Sequence, residues 1–257
     1  MAQRHMPKAV APTPGVAIIL AAGQGRHSRA PRPNPLTGTG GRPLLQRLIS
    51  AAAPAFGRAI VVAGPDMPGI AAAAAPHPLV TQREQLGSAH AALQAAPMLA
   101  GFRGDAVVIS ADTPLLSRET LARLRDTRAE GAHLVLLTVR PVDPGQLPRV
   151  VACPDTGLVD RLVEWEDASQ AERAIGLCHA GVFCARSVDL FRWLRAVRPH
   201  QGQGELCLSD IVAIARDEGR LVMAVQAPAA EFGGMPAAED AALVEVASQI
   251  ATPRAAA

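Results

Sequence analysis

The stretch VAIILAAGQGRHSRAPRPNPL, residues 16–36, decides how the rest of the chain is read. Its first five residues form an unbroken aliphatic run, as a strand buried on both faces requires. A glycine turn follows at once. Gly23 and Gly25 let the backbone bend close to a ligand, and consecutive N–H groups in such a bend can cradle an anion. In an open α/β sheet, ligands bind beyond the carboxyl ends of the strands, so this loop is the first candidate site. A Walker A loop needs a lysine, and the stretch has none. A dinucleotide fingerprint needs a third glycine opening a helix. Here Ser28 takes that place, and Pro31, Pro33 and Pro35 forbid the helix, which argues against hydride transfer. What remains is a glycine turn entering a long loop, with Arg26, Arg29, Arg32 and Arg42 in reach. On these residues alone an ordinary loop with solvated arginines fits equally well.

Outward from that stretch, apolar runs alternate with helical patterns. RAIVVA (58–63), DAVVIS (105–110) and AHLVLLTV (132–139) read as buried strands, and helices are expected over 43–53, 88–99 and 117–129. Ser117 is the expected N-cap of the last, with Glu119 in its first turn and Leu121 and Leu124 on its apolar face. Such alternation predicts a doubly wound, mainly parallel sheet. After residue 140 the pattern changes. PRVVACPDTGLVDRLVEW reads as a hairpin turning at 154–157, and IGLCHAGVFCA (175–185) as a further strand. A helix capped by Ser187, a helix over 209–218, the strand LVMAVQA (221–227) and a last helix over 237–250 complete the expected order. The organisation expected is a loose tail over 1–14, one α/β domain over 15–252 and a disordered end over 253–257.

Composition narrows the function. Hydrophobic residues make up 49% of the 257, charged residues 19%, and the net charge is +2, too balanced for a protein built to grip nucleic acid. Aromatics are 3% with no tyrosine, which argues against a base-stacking platform. Lys8 is the only lysine, so any phosphate contact falls to arginines. Cys153, Cys178, Cys184 and Cys207 form no C-x-x-C pair and are expected to be small buried hydrophobes in a reduced compartment. Pro12 and Pro14 interrupt a would-be signal sequence, and the Ala71–Ala75 run is too short to span a bilayer. A soluble, cytoplasmic protein is expected, with no membrane, nucleic-acid or protein partner implied.

VAIILAAGQGRHSRAPRPNPL resembles the sugar nucleotidyltransferase signature L-A-A-G-x-G-T-R-M followed by P-K-x-L. Three further segments are similar to the uridylyltransferase branch of that family, bacterial N-acetylglucosamine-1-phosphate uridylyltransferase. They are TQREQLGSAHA (81–91), ISADTPLL (109–116) and QGELCLSDI (203–211), and VEWEDAS (163–169) resembles V-E-x-K-D-A. The matches run in family order from about residue 16 to 250. The family's β-helix acetyltransferase half finds no match in these residues. The resemblance implies a three-layer, Rossmann-like nucleotide-diphospho-sugar transferase fold with a mixed, mainly parallel sheet. It also implies attack of a sugar-1-phosphate, such as N-acetylglucosamine 1-phosphate, on the α-phosphorus of a nucleoside triphosphate (UTP in this branch), releasing pyrophosphate.

Site residues carry over position by position. The resemblance places Leu20, Ala21, Ala22, Gly23, Gly25, Gln82, Gly87, Ser88, Ser110 and Ala111 at the nucleotide. Glu164, His179 and Gln146 fall at the sugar, and Asp112 is the expected Mg2+ ligand; it also reads as a turn aspartate before Pro114. Glu164 reads alternatively as a solvated charge beside Glu166 and Asp167. Arg26, His27, Arg32 and Asn34 fall at the triphosphate, where Asn34 replaces the family's lysine and His27 its arginine. His179 replaces an asparagine, Ala180 a threonine, and Gln146 and Pro148 stand at glycine positions of a G-Y-G-R segment. Met235 or Pro236 falls where a G-V-N asparagine supplies a second magnesium ligand, and Glu239 or Asp240 would replace it only if the loop is shifted. Two functions therefore stand: a nucleotidyltransferase with a remodelled site, and a paralogue that binds a nucleotide or nucleotide-sugar without efficient catalysis. A glycosyltransferase is more distant, because Ser110–Ala111–Asp112 lacks the first carboxylate of an Asp-x-Asp pair.

Overall fold

The computed structural model describes residues 13–23, 35–36, 38–39, 42–113, 116–199, 204–228 and 231. Gly25, Arg26, His27, Arg29, Arg32, Asn34, Met235, Pro236, Glu239, Asp240, the tail over 1–12 and the helix expected over 237–250 lie outside them.

The apolar runs form the centre. Strand β1 (Gly15–Ala21) is followed by a small ribbon, β2 (Gly38–Thr39) and β3 (Arg42–Pro43), then by α1 (Leu44–Phe56), β4 (Ala59–Ala63), α2 (Pro68–Ala74), β5 (Leu79–Thr81) and α3 (Ser88–Leu93). Then come β6 (Asp105–Ser110), α4 (Arg118–Ala129), β7 (Leu134–Val139), β8 (Arg149–Ala152), β9 (Val159–Val163) and α5 (Gln170–Arg173). The described order closes with β10 (Cys178–Arg186), α6 (Ser187–Ala196), α7 (Ile211–Asp217) and β11 (Val222–Gln226). The sheet runs β11-β7-β10-β6-β1-β4-β5, with the β8–β9 hairpin branching from β10. β1 pairs in parallel with β4 and β6, β4 with β5, and β7 with β11, while β10 runs antiparallel between β6 and β7. The expected mixed, mainly parallel sheet is the one found.

Helices cover both faces, which explains the unbroken apolar runs. Ala17, Ile19 and Ala21 pack with residues of α1, α2 and α4 on one face, and Val16 and Ile18 with residues of α3, α6 and α7 on the other. Ser117 caps α4 as expected, its Oγ accepting the Thr120 N–H at 3.0 Å.

Several boundaries differ from the sequence reading. α1 runs past Pro54 to Phe56. Ser50 and Pro54 are both exposed, so the Ser50 carbonyl that loses its helical donor faces solvent, while Ala55 and Phe56 are buried. Gly57, at φ 84°, then ends the helix. The helix expected over 88–99 breaks into α3 and a 3-10 turn, Ala96–Leu99, because Pro97 has no N–H to offer Leu93. Ser187 does not cap α6: it is the first helical residue, and its Oγ donates to the Phe102 carbonyl at 2.8 Å. The alanine run at 71–75 contributes to α2, entered through Pro68. Cys178 and Cys184 are buried, but Cys153 is exposed on the hairpin turn, against expectation. There the Thr156 hydroxyl holds its thiol below the usual value, whereas burial pushes Cys207 up to about 12. No helix among the described residues is long and apolar enough to cross a membrane.

The hairpin ends in a local acid-sensitive cap. Ser169 and Glu172 make a reciprocal capping box for α5, with Ser169 Oγ donating to Glu172 Oε2 at 2.6 Å and the Ser169 N–H at 2.9 Å. Arg161 adds contacts of 2.8 and 3.2 Å to Oε1. The Ser169 hydroxyl, then Arg161, hold the Glu172 carboxyl down to about 2 from 4.5. A depressed carboxylate contributes stability that is complete above its unfolded value and lost as pH falls through its folded one. Protection of the Ser169 amide, relative to its intrinsic exchange rate, should therefore hold down to about pH 4.5 and fall towards pH 2, and Glu172→Gln should remove that step.

Candidate functional site

The parallel register sets the site. Leu20 pairs with Ser110, and the Ala111 N–H donates to the Leu20 carbonyl at 2.9 Å, so β1 and β6 end side by side. Ala21, Ala22 and Gly23 leave the sheet at that edge beside Ala111 and Asp112. Among the described residues, nothing lies within 4 Å of where a Cβ at Gly23 would stand. Asp112 is half-buried in the turn closed by the Thr113 N–H on the Ser110 carbonyl at 3.0 Å.

The entry of β10 closes the next side, because an antiparallel strand begins where its neighbours end. Thr113 Oγ1 donates to the Ala180 carbonyl at 3.2 Å, and a Cβ on Gly181 would come within 2.9 Å of Thr113 Oγ1. The strand bulges between His179 and Phe183. His179 is buried there, with Nδ1 3.4 Å from the Gly181 N–H, Nε2 3.3 Å from the Val182 carbonyl and its ring 4.2 Å from that of Phe183.

The segment 81–91 approaches from the β4–β5 side. Gln85 Nε2 donates to the Ala22 carbonyl at 2.9 Å, tying this segment to the first loop. Gln82, 3% exposed, is anchored by its N–H on the Ala63 carbonyl at 2.8 Å. Behind it lies the segment 204–210. The Leu206 N–H donates to the Leu86 carbonyl at 2.8 Å, the Ala89 N–H to the Leu206 carbonyl at 2.9 Å, and Ser88 Oγ accepts the Leu208 N–H at 2.9 Å. Gly87 has φ +101°, and a Cβ on it would sit 2.5 Å from the Leu206 carbonyl oxygen. Gly87→Ala should cost about 1–3 kcal/mol in urea denaturation, from backbone strain plus that clash. An unchanged midpoint would mean that the two segments part freely.

The sugar-side candidates lie on and beside the hairpin. Glu164, at the end of β9, is half-buried, and it is one of the carboxylates, with Asp210, Glu205 and Asp167, whose charge adds to burial in raising the Cys207 thiol. That places Glu164 near the 204–210 segment. Gln146 is exposed in a turn held by Arg149, a residue the sequence reading carried only inside the hairpin quoted above. The Arg149 side chain is buried and donates to the carbonyls of Arg173 (3.3 Å), Pro144 (3.4 Å), Gly145 (2.8 Å) and Leu147. Its guanidinium lies 4.8 Å from the Trp165 ring centre, as does that of Arg173. The His179 N–H donates to the Pro148 carbonyl at 2.9 Å, which joins this turn to β10.

The structure thus gathers Leu20, Ala21, Ala22, Gly23, Ser110, Ala111 and Asp112 at one sheet edge, with Gln82, Gly87 and Ser88 on one flank. His179 adjoins them on the other, with Gln146 reached through the 148–149 backbone. Sequence reasoning missed Gln85, His90, Thr113 and Arg149 as organising residues. All four sit inside quoted segments, where the pattern shows position but not partners.

Gly23 leaving β1 and Asp112 leaving β6 stand together at the carboxyl edge of a mainly parallel sheet, where open α/β folds bind their ligands. The family model described as a MobA-like NTP transferase domain matches residues 17–181, and the chain belongs to that family. It is 46% identical over 241 residues to the bifunctional protein GlmU of Gluconacetobacter diazotrophicus, covering 92% of this chain and 51% of that protein. Against the bifunctional protein GlmU of Acidiphilium cryptum it is 44% identical, covering 91% of this chain and 53% of the relative. The chain spans about half the length of the curated relatives it matches. In fold it is similar to a UDP-glucose pyrophosphorylase solved in complex with UDP-glucose, with a TM-score of 0.67 at 15% identity, covering 92% of this chain and 98% of that one.

Proposed function

We propose that the protein transfers a uridylyl group from UTP to a sugar-1-phosphate, N-acetylglucosamine 1-phosphate being the first candidate, and releases pyrophosphate. The observation that carries this reading is the Leu20–Ser110 register, which sets the glycine loop and Asp112 at one edge with the 82–88 segment tied to it. The similarity to the GlmU proteins supports the choice of substrates.

In this reading the backbone of Leu20 to Gly23 and of Ser110 and Ala111 lines the nucleotide, and Gln82, Gly87 and Ser88 meet the base. Glu164 accepts from a sugar hydroxyl, with His179 and Gln146 beside it, and Arg26, His27, Arg32 and Asn34 face the triphosphate. Little covalent chemistry falls to the chain: the phosphate oxygen of the acceptor must be held in line with the α-phosphorus. Among the described residues no cluster of three or more His, Cys, Asp or Glu side chains forms a metal cage. Magnesium binds through one or two carboxylates together with substrate phosphates and water, so a lone carboxylate at Asp112 fits an ion that arrives with the triphosphate. When bound there, magnesium offsets phosphate charge.

A second reading, nucleotide binding with little turnover, is favoured by Asn34 at the position of the signature lysine. Pyrophosphate release from each of the four common triphosphates, with a panel of sugar-1-phosphates and magnesium, tests both. Release confined to UTP with an amino-sugar phosphate supports the first. Tight UTP binding without release supports the second, and no triphosphate binding overturns both.

A further inference from the structure

His179, which the proposed reading sets beside the sugar, turns its ring back on its own strand. The bulge of β10 lies here. His179 pairs with Thr138 of β7 and Phe183 with Leu136, so the residues between them loop out of register. The ring spans that loop. Its Nε2 lies 3.3 Å from the Val182 carbonyl, and the Gly181 N–H donates to Nδ1 at 3.4 Å. A backbone carbonyl only accepts and a backbone N–H only donates, and neither group can be turned end for end. The two contacts together therefore require one form of the ring, a neutral imidazole with its proton on Nε2. Phe183 packs against it, with 4.2 Å between ring centres. The looped-out residues rest in turn on the segment that carries Asp112. Thr113 Oγ1 donates to the Ala180 carbonyl at 3.2 Å, and a Cβ on Gly181 would stand 3.2 Å from that of Ser110. Ala180 and Thr113 are both buried.

We propose that His179 is a positioning residue for the magnesium carboxylate: its ring fixes the β10 bulge, and the bulge fixes the turn that carries Asp112. The inference rests on the proposed placement of magnesium at Asp112. With both ring nitrogens committed to the backbone of its own strand, His179 serves the metal end of the site and leaves the sugar hydroxyls to Glu164. A carboxylate contributes most when it already stands where the ion will arrive, because binding then needs no reorganisation. A loosened bulge lets the turn sample other positions. The apparent affinity for the ion then falls with the fraction of molecules that hold the carboxylate in place.

The test is calorimetric binding of UTP, with and without magnesium, to the parent, Asp112→Asn, His179→Phe, Thr113→Val, the double variant of the last two, and His179→Asn. The quantity read is the gain in UTP affinity that magnesium brings. Phenylalanine keeps a ring against Phe183 and loses both bonds, while asparagine can still accept the N–H two residues on and serves as the conservative rescue. His179→Phe should cut the gain by about tenfold, the worth of one hydrogen bond, and leave magnesium-free affinity within about twofold of the parent. Thr113→Val should do the same, and His179→Asn should keep most of the gain. The double variant should lose no more than either single one, since both act through one contact. A loss of about a hundredfold there, each change acting on its own, overturns the route through Thr113 and the proposal with it. A gain that Asp112→Asn removes but His179→Phe keeps within about twofold overturns the role of His179 alone. A gain that Asp112→Asn leaves intact, or a parent with no gain, overturns the placement of magnesium and the inference with it. A measurement free of variant folding is the long-range 1H–15N spectrum of the metal-free parent. It should show His179 protonated on Nε2, and a proton on Nδ1 would refute the proposal.

Discussion

Asp112→Asn is expected to lower magnesium-dependent pyrophosphate release by at least about a hundredfold, the scale set by removing one preorganised charged contact to a transferring phosphoryl group. The substitution keeps the size and the turn-forming ability of the side chain, so folding should be almost untouched. Asp112 occupies the turn that the Thr113 N–H closes on Ser110, and that turn is held by backbone and by Thr113 Oγ1 on Ala180 rather than by a core contact. The loss should appear in kcat, with UTP affinity measured without magnesium changing little. That split separates a metal-holding carboxylate from a turn residue ahead of Pro114. Turnover at the parental rate would assign Asp112 to the turn alone.

Arg149→Met is expected to cost about 1–3 kcal/mol in urea denaturation, because it removes a buried guanidinium that fastens four partly exposed carbonyls at once. An isolated buried guanidinium is expensive to desolvate, and here four backbone carbonyls and the Trp165 face offset that cost. Methionine fills much of the same volume but leaves the carbonyls of Pro144, Gly145, Leu147 and Arg173 without this donor. Arg149→Lys should recover only part of the loss, since a point ammonium cannot serve carbonyls spread around a planar fork. At temperatures where the variant stays folded, Trp165 fluorescence should shift as its Arg149 contact disappears. The Michaelis constant for the sugar phosphate should rise while that for UTP stays put, because the turn bearing Gln146 is what Arg149 fastens. A parental midpoint would show the turn to be held by other contacts.

Much of this architecture was legible in the residues. Runs such as VAIIL and DAVVIS are apolar at every position because helices cover both sheet faces, and no alternating pattern could have been mistaken for them. Gly23 after β1 and the aspartate after β6 come out at one edge because adjacent parallel strands in this register finish together. The hairpin at 149–163 followed from its turn residues. What escaped reading depended on partners remote in sequence. Ser187 has the chemistry of a cap, but the Phe102 carbonyl lies within its reach and takes its hydrogen. Pro54 reads as a helix stop, yet burial of Ala55 and Phe56 outweighs the lost bond. Arg149 resembles any surface arginine until the carbonyls around it are seen, and nothing local distinguishes the ring of His90, 3.1 Å from the Gln82 amide, from that of a helix-surface histidine. Side chains that act by holding another side chain leave no period and no spacing.

The antiparallel β10 has a consequence for how the molecule comes to exist. It completes the middle of the sheet, yet it is synthesised long after the strands on either side of it, β6 and β7. A nascent chain that stops before Cys178 leaves β6 with one bare hydrogen-bonding edge and β7, whose neighbours β10 and β11 both come later, with two. Such pairing between distant segments is slow, and in the interval the edges are open to other chains. Cutting the gene after β7 to obtain a minimal nucleotide-binding fragment would therefore leave a species prone to self-association. The hairpin that bears Glu164 is made while those edges are still open, and it joins the sheet through β10.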